Sequence, residues 1–326
     1  MDIVVIGYGA AGKSAALTAL KTCRKCKVTV IERRREIFNH PCSLPYILDG
    51  TIPSELLESY EAIPSRISLV CGEAVNIRPS SREVIVRVGA SRRTIHYGRL
   101  IIATGSNPIV PPIPGVGRRG VFSFKGPGDV RLILSWIKPS SRVAVIGASA
   151  TGLEVAMSIR RRVREVYLVE LFDQPLPGRI DPDIAMILSD EISKHVSLML
   201  GKPLRQISGV GEEVSEVTVG DETVTVDTVI LTTGVRPNTM LAVRSGIKVG
   251  ELGGIVVDSR MRTSVESIYA CGDCVEVKDV VSGTRSLSML ATSAIRQGMV
   301  AGVNAAGGNA TYSGSASPFI IKAGHI

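Results

Sequence analysis

One local pattern occurs twice in this chain, about 140 residues apart: a short apolar strand, a glycine-rich turn, a helix opening, a second strand and a terminal acid. The first copy is Ile3-Val4-Val5-Ile6, then Gly7-Tyr8-Gly9-Ala10-Ala11-Gly12 and Ala15-Ala16-Leu17, closing with Val28-Thr29-Val30-Ile31 and Glu32. The second is Val143-Ala144-Val145-Ile146, then Gly147-Ala148-Ser149-Ala150-Thr151-Gly152 and Leu153-Glu154-Val155-Ala156, closing with Val166-Tyr167-Leu168-Val169 and Glu170. A lone G-x-G-x-x-G occurs often by chance. Two copies, each with its strands and its acid, predict two dinucleotide-binding folds in series.

Each residue type has a physical reason to be there. Gly7 permits the tight turn, Gly9 lets backbone approach a pyrophosphate, and Gly12 lets helix and strand pack closely. The helix that follows turns its positive end toward the phosphates. Glu32 and Glu170 are placed to accept hydrogen bonds from an adenosine ribose. A carboxylate there favours a free 2′-hydroxyl and repels a 2′-phosphate, so Glu170 favours NADH, with NADPH the alternative. Arg160, Arg161, Arg162 and Arg164 stand nearby in sequence and would soften that preference. In the second turn Ser149 replaces the middle glycine, which predicts a slightly more hindered backbone approach.

The bulk numbers narrow the rest. Hydrophobic residues at 44% with 21% charged are ordinary for a soluble globular chain of 326 residues, long enough for two cores. No run reaches the ~18 apolar residues of a membrane span, and the N-terminus enters a strand directly. The expectation is a cytoplasmic protein with no membrane partner. The net charge of +8 is scattered, with its denser groups (Arg33 to Arg35, Arg160 to Arg164) beside the nucleotide strands, so no nucleic-acid partner is expected.

Further segments follow in a fixed order. Leu100-Ile101-Ile102-Ala103-Thr104-Gly105 and Val229-Ile230-Leu231-Thr232-Thr233-Gly234 are apolar runs ending in Thr-Gly; Ile268-Tyr269-Ala270-Cys271-Gly272-Asp273 and a helix from Ala291 to Gln297-Gly298 come after them. Together with the two glycine turns, these resemble the pyridine nucleotide–disulfide oxidoreductase superfamily over nearly the whole chain. The resemblance implies an α/β fold with two Rossmann-like FAD- and NAD(P)-binding domains (three-layer ββα). FAD would occupy residues 1–110 and 243–326, and NAD(P)H residues 111–242. The implied FAD residues are Gly7, Gly9, Ala10, Ala11, Gly12, Glu32, Arg33, Ala103, Thr104, Gly105, Gly272, Asp273 at the ribityl chain, and Ala291 at the flavin pyrimidine edge. The implied nicotinamide-nucleotide residues are Gly147, Ser149, Ala150, Thr151, Gly152, Glu154, Glu170 and Gly234. Glu154 matches a family glutamate near the nicotinamide; its other reading is an exposed helix residue.

The informative difference lies at Phe38-Asn39-His40-Pro41-Cys42-Ser43-Leu44-Pro45-Tyr46. Dithiol reductases of this superfamily carry two cysteines here, four residues apart; this chain has Cys42 alone. A single cysteine followed by Leu-Pro-Tyr resembles the coenzyme A–disulfide reductase branch, beside the NADH oxidases. The resemblance implies a thiol that cycles between thiolate and a mixed disulfide with a small thiol, its pKa lowered by its setting. A buried structural cysteine is the other reading. Phe38 replaces the branch's usual serine, and Ala10 and Ala11 replace the histidine of oxidases and peroxidases. His40 is a candidate replacement proton donor. Cys23-Arg24-Lys25-Cys26 has redox or metal spacing, but no second ligand pair completes a zinc site, so a surface disulfide or two packed thiols is expected and no metal. Cys71, Cys271 and Cys274 are expected in the core.

Family members usually continue for another hundred residues or so into a dimerisation domain. The stretch from Phe319 to Ile326 resembles its first strand, so that domain is expected to be absent or truncated here. A homodimer is expected if the full protein carries it. The predicted acceptor is a small disulfide, persulfide or polysulfide, with oxygen, or a small electron-transfer protein, as the alternatives.

Overall fold

The computed structural model describes residues 1–34, 41–58, 63–316, 318, 320 and 321. His40, Phe38, Asn39, Arg35 and most of the expected strand at 319–326 lie outside the described residues. The helices in chain order are α1 (Ala10–Thr22), α2 (Leu44–Leu48), α3 (Pro127–Trp136), α4 (Ala150–Ile159), α5 (Pro182–Ser193), α6 (Met240–Arg244) and α7 (Ala291–Ala305). The chain divides into two compact units. One comprises residues 1–39, 59–107 and 236–318; the other comprises residues 40–58, 108–235 and 319–326. The segment 40–58, which follows the first nucleotide turn in sequence, thus groups with the second.

The first unit is built on a five-stranded parallel sheet in the order Ile268–Ala270, Arg99–Ile102, Asp2–Ile6, Lys27–Glu32, Ile67–Cys71. Strand Asp2–Ile6 sits between the strands that follow it on either side, with Val4 opposite both Thr29 and Leu100. Its continuous apolar run is what a strand covered on both faces requires. Ile3, Val4, Val5, Val30, Leu100, Ile101 and Ile102 are all buried. A three-stranded antiparallel meander (Glu73–Arg78, Glu83–Val88, Ser91–His96) completes the layering.

Helices α1 and α7 cross closely because their facing positions are small. Ala11, Ala15, Ala16 and Ala19 on α1 meet Gly298, Ala301, Gly302 and Ala305 on α7, and the alanines are buried. A Cβ added at Gly302 would lie 2.4 Å from the Ala15 carbonyl oxygen.

The second unit repeats the plan. Its parallel sheet runs Ser197–Met199, Glu165–Val169, Arg142–Ile146, Thr228–Leu231, Val121–Ser123, with an antiparallel meander of Leu204–Ser208, Glu216–Val219 and Glu222–Thr225. The α/β fold class with two Rossmann-like units is the one expected from the sequence. No helix among the described residues is long and apolar enough to cross a membrane.

Candidate functional site

In the first unit the glycine turn closes as its composition demands. Gly7 has φ +93°, a left-handed conformation that side chains resist, and a Cβ there would lie 2.3 Å from the Ala103 carbonyl oxygen. A Cβ at Gly12 would lie 1.9 Å from the Gly7 carbonyl oxygen, so helix and strand touch through bare backbone. At Gly9, by contrast, a Cβ would meet nothing within 4 Å. Gly9 is also the N-cap of α1, with no side chain capping the helix. Uncapped N–H groups open to free space make an anion site of the kind a pyrophosphate fills. The Glu32 carboxylate, at the end of its strand, accepts from the Tyr8 N–H at 2.7 Å and the Arg34 N–H at 2.9 Å. Arg33 is exposed beside it.

The other first-unit residues gather at the same strand ends. Ala103, Thr104 and Gly105 leave strand Arg99–Ile102, where the Thr104 hydroxyl donates to the Asn238 carbonyl (2.7 Å) and Asn238 N–H donates to Gly105 (2.9 Å). Gly272, at φ +86°, donates its N–H to the buried Gln297 side-chain oxygen at 2.8 Å, which ties the turn to α7. Asp273 accepts from the Ser106 hydroxyl at 2.7 Å. Ala291 opens α7, which has no side-chain cap either. Just before it, the Ser286 and Ser288 hydroxyl oxygens are buried with no hydrogen-bond partner among the described residues. Buried hydroxyls rarely go unsatisfied in a finished structure. Their place, next to an uncapped helix start, fits a polar cofactor edge such as that of FAD.

In the second unit Gly147 has φ +102°, and a Cβ at Gly152 would lie 1.8 Å from the Gly147 carbonyl oxygen. The Glu170 carboxylate is buried and accepts from the Ala148 N–H at 2.6 Å and the Phe172 N–H at 3.1 Å. Ser149 has become the N-cap of α4: its hydroxyl accepts from the Gly152 N–H (3.4 Å) and donates to the Thr232 carbonyl (3.3 Å). Ala150, Thr151 and Gly152 form the first turn of α4, and Gly234 (φ +99°) follows the return strand Thr228–Leu231. Glu154, half-buried on α4, has its carboxyl pushed above the usual range by burial. Sequence reasoning missed Thr232, whose hydroxyl donates to Ile146 and Gly147 carbonyls and so backs the turn; its signal is that it matches Ala103 in the repeat.

Cys42 is an exposed thiol in a 3-10 turn, Pro41–Ser43, that runs directly into α2. Cys23 and Cys26 form a disulfide at the C-terminal end of α1. Cys271 and Cys274 are fully buried, and burial pushes both thiols up, well up for Cys271. Cys71, expected in the core, is exposed: it ends an edge strand of its sheet. Arg161 and Arg162, weighed from the sequence as partners of a 2′-phosphate, direct their guanidinium groups to Asp49 and Leu48 instead. No cluster of metal-ligating side chains occurs among the described residues.

Two glycine turns, each with its acid hydrogen-bonded back across the turn, define a class: chains with two dinucleotide-binding folds in series. Residues 1–298 match the family described as pyridine nucleotide-disulphide oxidoreductase, and the chain belongs to it. The chain is 37% identical to an NADH oxidase of Methanocaldococcus jannaschii, over all of its own length and 75% of that protein. It is 32% identical to a CoA-dependent NAD(P)H sulfur oxidoreductase of Pyrococcus furiosus, over 98% of its length and 73% of the relative. Among solved structures, an NAD-dependent persulfide reductase from A. fulgidus superposes with a TM-score of 0.94 at 32% identity. That match covers 99% of this chain and 62% of the A. fulgidus chain.

Proposed function

We propose that the chain is an NAD(P)H-dependent FAD reductase of small sulfur–sulfur bonds, with Cys42 as the thiol that exchanges with the acceptor. The carrying observation is Cys42 itself: a single, exposed, reduced cysteine ahead of α2, in a chain with two nucleotide units. The names of the P. furiosus and A. fulgidus proteins support the same acceptor class.

FAD is assigned to the first unit. The N-termini of α1 and α7 would meet its pyrophosphate and pyrimidine edge, Glu32 its ribose, and Asp273 its ribityl chain. Ala10, Ala11, Arg33, Ala103, Thr104, Gly105 and Gly272 line that region. NAD(P)H is assigned to the second unit, with its pyrophosphate at Gly147 to Gly152, its adenosine ribose at Glu170, and Glu154 and Gly234 toward the nicotinamide. Bound FAD supplies two-electron transfer between nicotinamide and sulfur.

The protein's own part in the chemistry is the sulfur step. The Cys42 thiolate attacks a disulfide R–S–S–R′; that bond breaks, R′S⁻ leaves, and Cys42–S–S–R remains. Two electrons that originate as hydride on NAD(P)H then cleave the mixed disulfide into the Cys42 thiolate and RS⁻. The sum is RSSR′ + NAD(P)H + H⁺ → RSH + R′SH + NAD(P)⁺. A free 2′-hydroxyl suits Glu170, so NADH is the favoured donor.

The test uses FAD-loaded protein, NADH and coenzyme A disulfide under argon. Cys42→Ser should abolish disulfide reduction while NADH still bleaches the flavin; undiminished disulfide reduction would overturn the reading. A second reading, NADH oxidase, is favoured by the name of the M. jannaschii relative. It predicts aerobic NADH consumption that added coenzyme A disulfide does not change.

A further inference from the structure

Within the second unit, α2 is held at its C-terminal end by two arginines from the turn that follows α4. The Arg162 Nε donates to the carbonyl of Leu48, and Arg161 pairs with the Asp49 carboxylate at 3.4 Å. Leu48 is the last residue of α2, so its carbonyl is one that the helix cannot satisfy internally. A cation near a helix C-terminus is also favoured by the helix dipole.

The backbone around the contact is shaped for it. Gly50 has φ +81°, and a Cβ there would lie 2.7 Å from the Arg162 Nη2. The Asp49 carboxylate is further fixed by accepting from the Thr51 N–H at 2.8 Å. The Ile52 N–H returns to the Tyr46 carbonyl at 2.9 Å, closing the turn that follows α2. Leu44, Ile47 and Leu48 bury the inner side of α2, which packs on α3 and α4.

Cys42 lies at the other end of this piece, in the turn that feeds α2. Helix α4, for its part, begins at the Gly147–Gly152 turn assigned above to the nicotinamide nucleotide. We propose that Arg162, assisted by Arg161, is a positioning residue for Cys42: it locks the thiol-bearing segment onto the far end of the nucleotide-binding helix. Arg161 and Arg162 thereby act on the sulfur step and not on the choice between NADH and NADPH. This rests on Cys42 being the redox thiol.

The pair to Asp49, 3.4 Å long and with its Arg161 side chain 59% exposed, contributes less than a shorter bond out of water. The hydrogen bond to Leu48 is charge-assisted and lies partly out of water, so Arg162 carries most of the effect.

The experiment compares FAD-loaded Arg162→Ala, Arg162→Lys, Gly50→Ala and Cys42→Ser with the parent protein. Three quantities are read: the anaerobic rate of flavin bleaching by NADH, kcat and KM for coenzyme A disulfide, and the pH profile of Cys42 alkylation by iodoacetamide, located by peptide mass because Cys71 is also exposed. Arg162→Ala should lower kcat for the disulfide about tenfold to a hundredfold, as small misplacements of reacting groups do, with bleaching by NADH little changed. The Cys42 alkylation profile should shift in the same variant. Arg162→Lys should recover part of the loss. Gly50→Ala should lower disulfide turnover as well, because the added methyl meets the Arg162 guanidinium and a side chain strains the backbone at φ +81°, and it serves beside Arg162→Lys if Arg162→Ala does not fold.

Parent-like disulfide turnover and alkylation in Arg162→Ala or Gly50→Ala would overturn the inference. So would an equal fall in bleaching and disulfide turnover, which marks a merely structural role. If Cys42→Ser retains disulfide turnover, it is the underlying assignment of Cys42 that fails.

Discussion

Glu170 reaches back across its own glycine turn to the backbone N–H of Ala148, 2.6 Å away. Glu32 does the same to Tyr8 at 2.7 Å in the first unit. In each repeat the acid that ends the second strand also stabilises the turn that follows the first. Glu170→Ala would strand the Ala148 N–H in a buried place, so stability should fall by about 1–3 kcal/mol. The same variant should bind NADH more weakly and discriminate less against NADPH. Fluorescence titrations with both nucleotides check this; unchanged discrimination would mean that another group rejects the 2′-phosphate.

The crossing of α1 and α7 predicts an asymmetric response to small substitutions. A Cβ at Gly298 would lie 2.2 Å from the Ala11 carbonyl oxygen, and this is rigid backbone. Gly298→Ala should cost about 1–3 kcal/mol, as overpacking does, and weaken FAD retention. Met299→Ala, at an exposed position of the same helix, should stay within about 0.5 kcal/mol of the parent. Thermal melts with and without added FAD distinguish the two.

Burial pushes the Glu154 carboxyl above its ordinary 4.5. The folded chain then holds this proton more tightly than the unfolded chain. The Glu154 contribution to stability is fully present below about pH 4.5 and is lost as pH rises through the raised folded value. Glu154→Gln should therefore flatten the decline of Tm with rising pH over that window. A parallel pH profile in the two proteins would show that the carboxyl is not desolvated in solution.

The Cys23–Cys26 disulfide ties the end of α1 to the entry of the next strand. Loops this short still restrict the unfolded chain, and the chain-entropy relation gives about 2 kcal/mol. Reductant should lower Tm in the parent and leave a Cys23→Ala/Cys26→Ala double variant unaffected. Equal Tm values for the parent with and without reductant would contradict the bond or its role.

What was legible in the sequence depended on near neighbours. Gly7 and Gly12, or Gly147 and Gly152, announce their turns because strand, glycine and helix follow within a dozen residues. Side-chain roles that depend on distant partners were not legible. Ser149 reads as a hindrance to phosphate, yet its hydroxyl caps α4 and reaches the Thr232 carbonyl, 83 residues on. Cys71 sits in an apolar stretch and reads as core, but its strand is the edge of the sheet. Residues 40–58 follow the first turn in sequence, and only their contacts with α3 and α4, about a hundred residues later, join them to the second unit. The same contacts changed the reading of Arg161 and Arg162.

Counting electrons tests Cys42 as the redox thiol. FAD-loaded protein, with Cys42 first converted to its mixed disulfide with coenzyme A, is titrated with NADH under argon beside Cys42→Ser, and the visible spectrum is followed. The parent should consume one more equivalent of NADH than Cys42→Ser before its flavin bleaches, with release of one coenzyme A thiol. Equal consumption by both proteins, with coenzyme A still attached to Cys42 at the end, would contradict it.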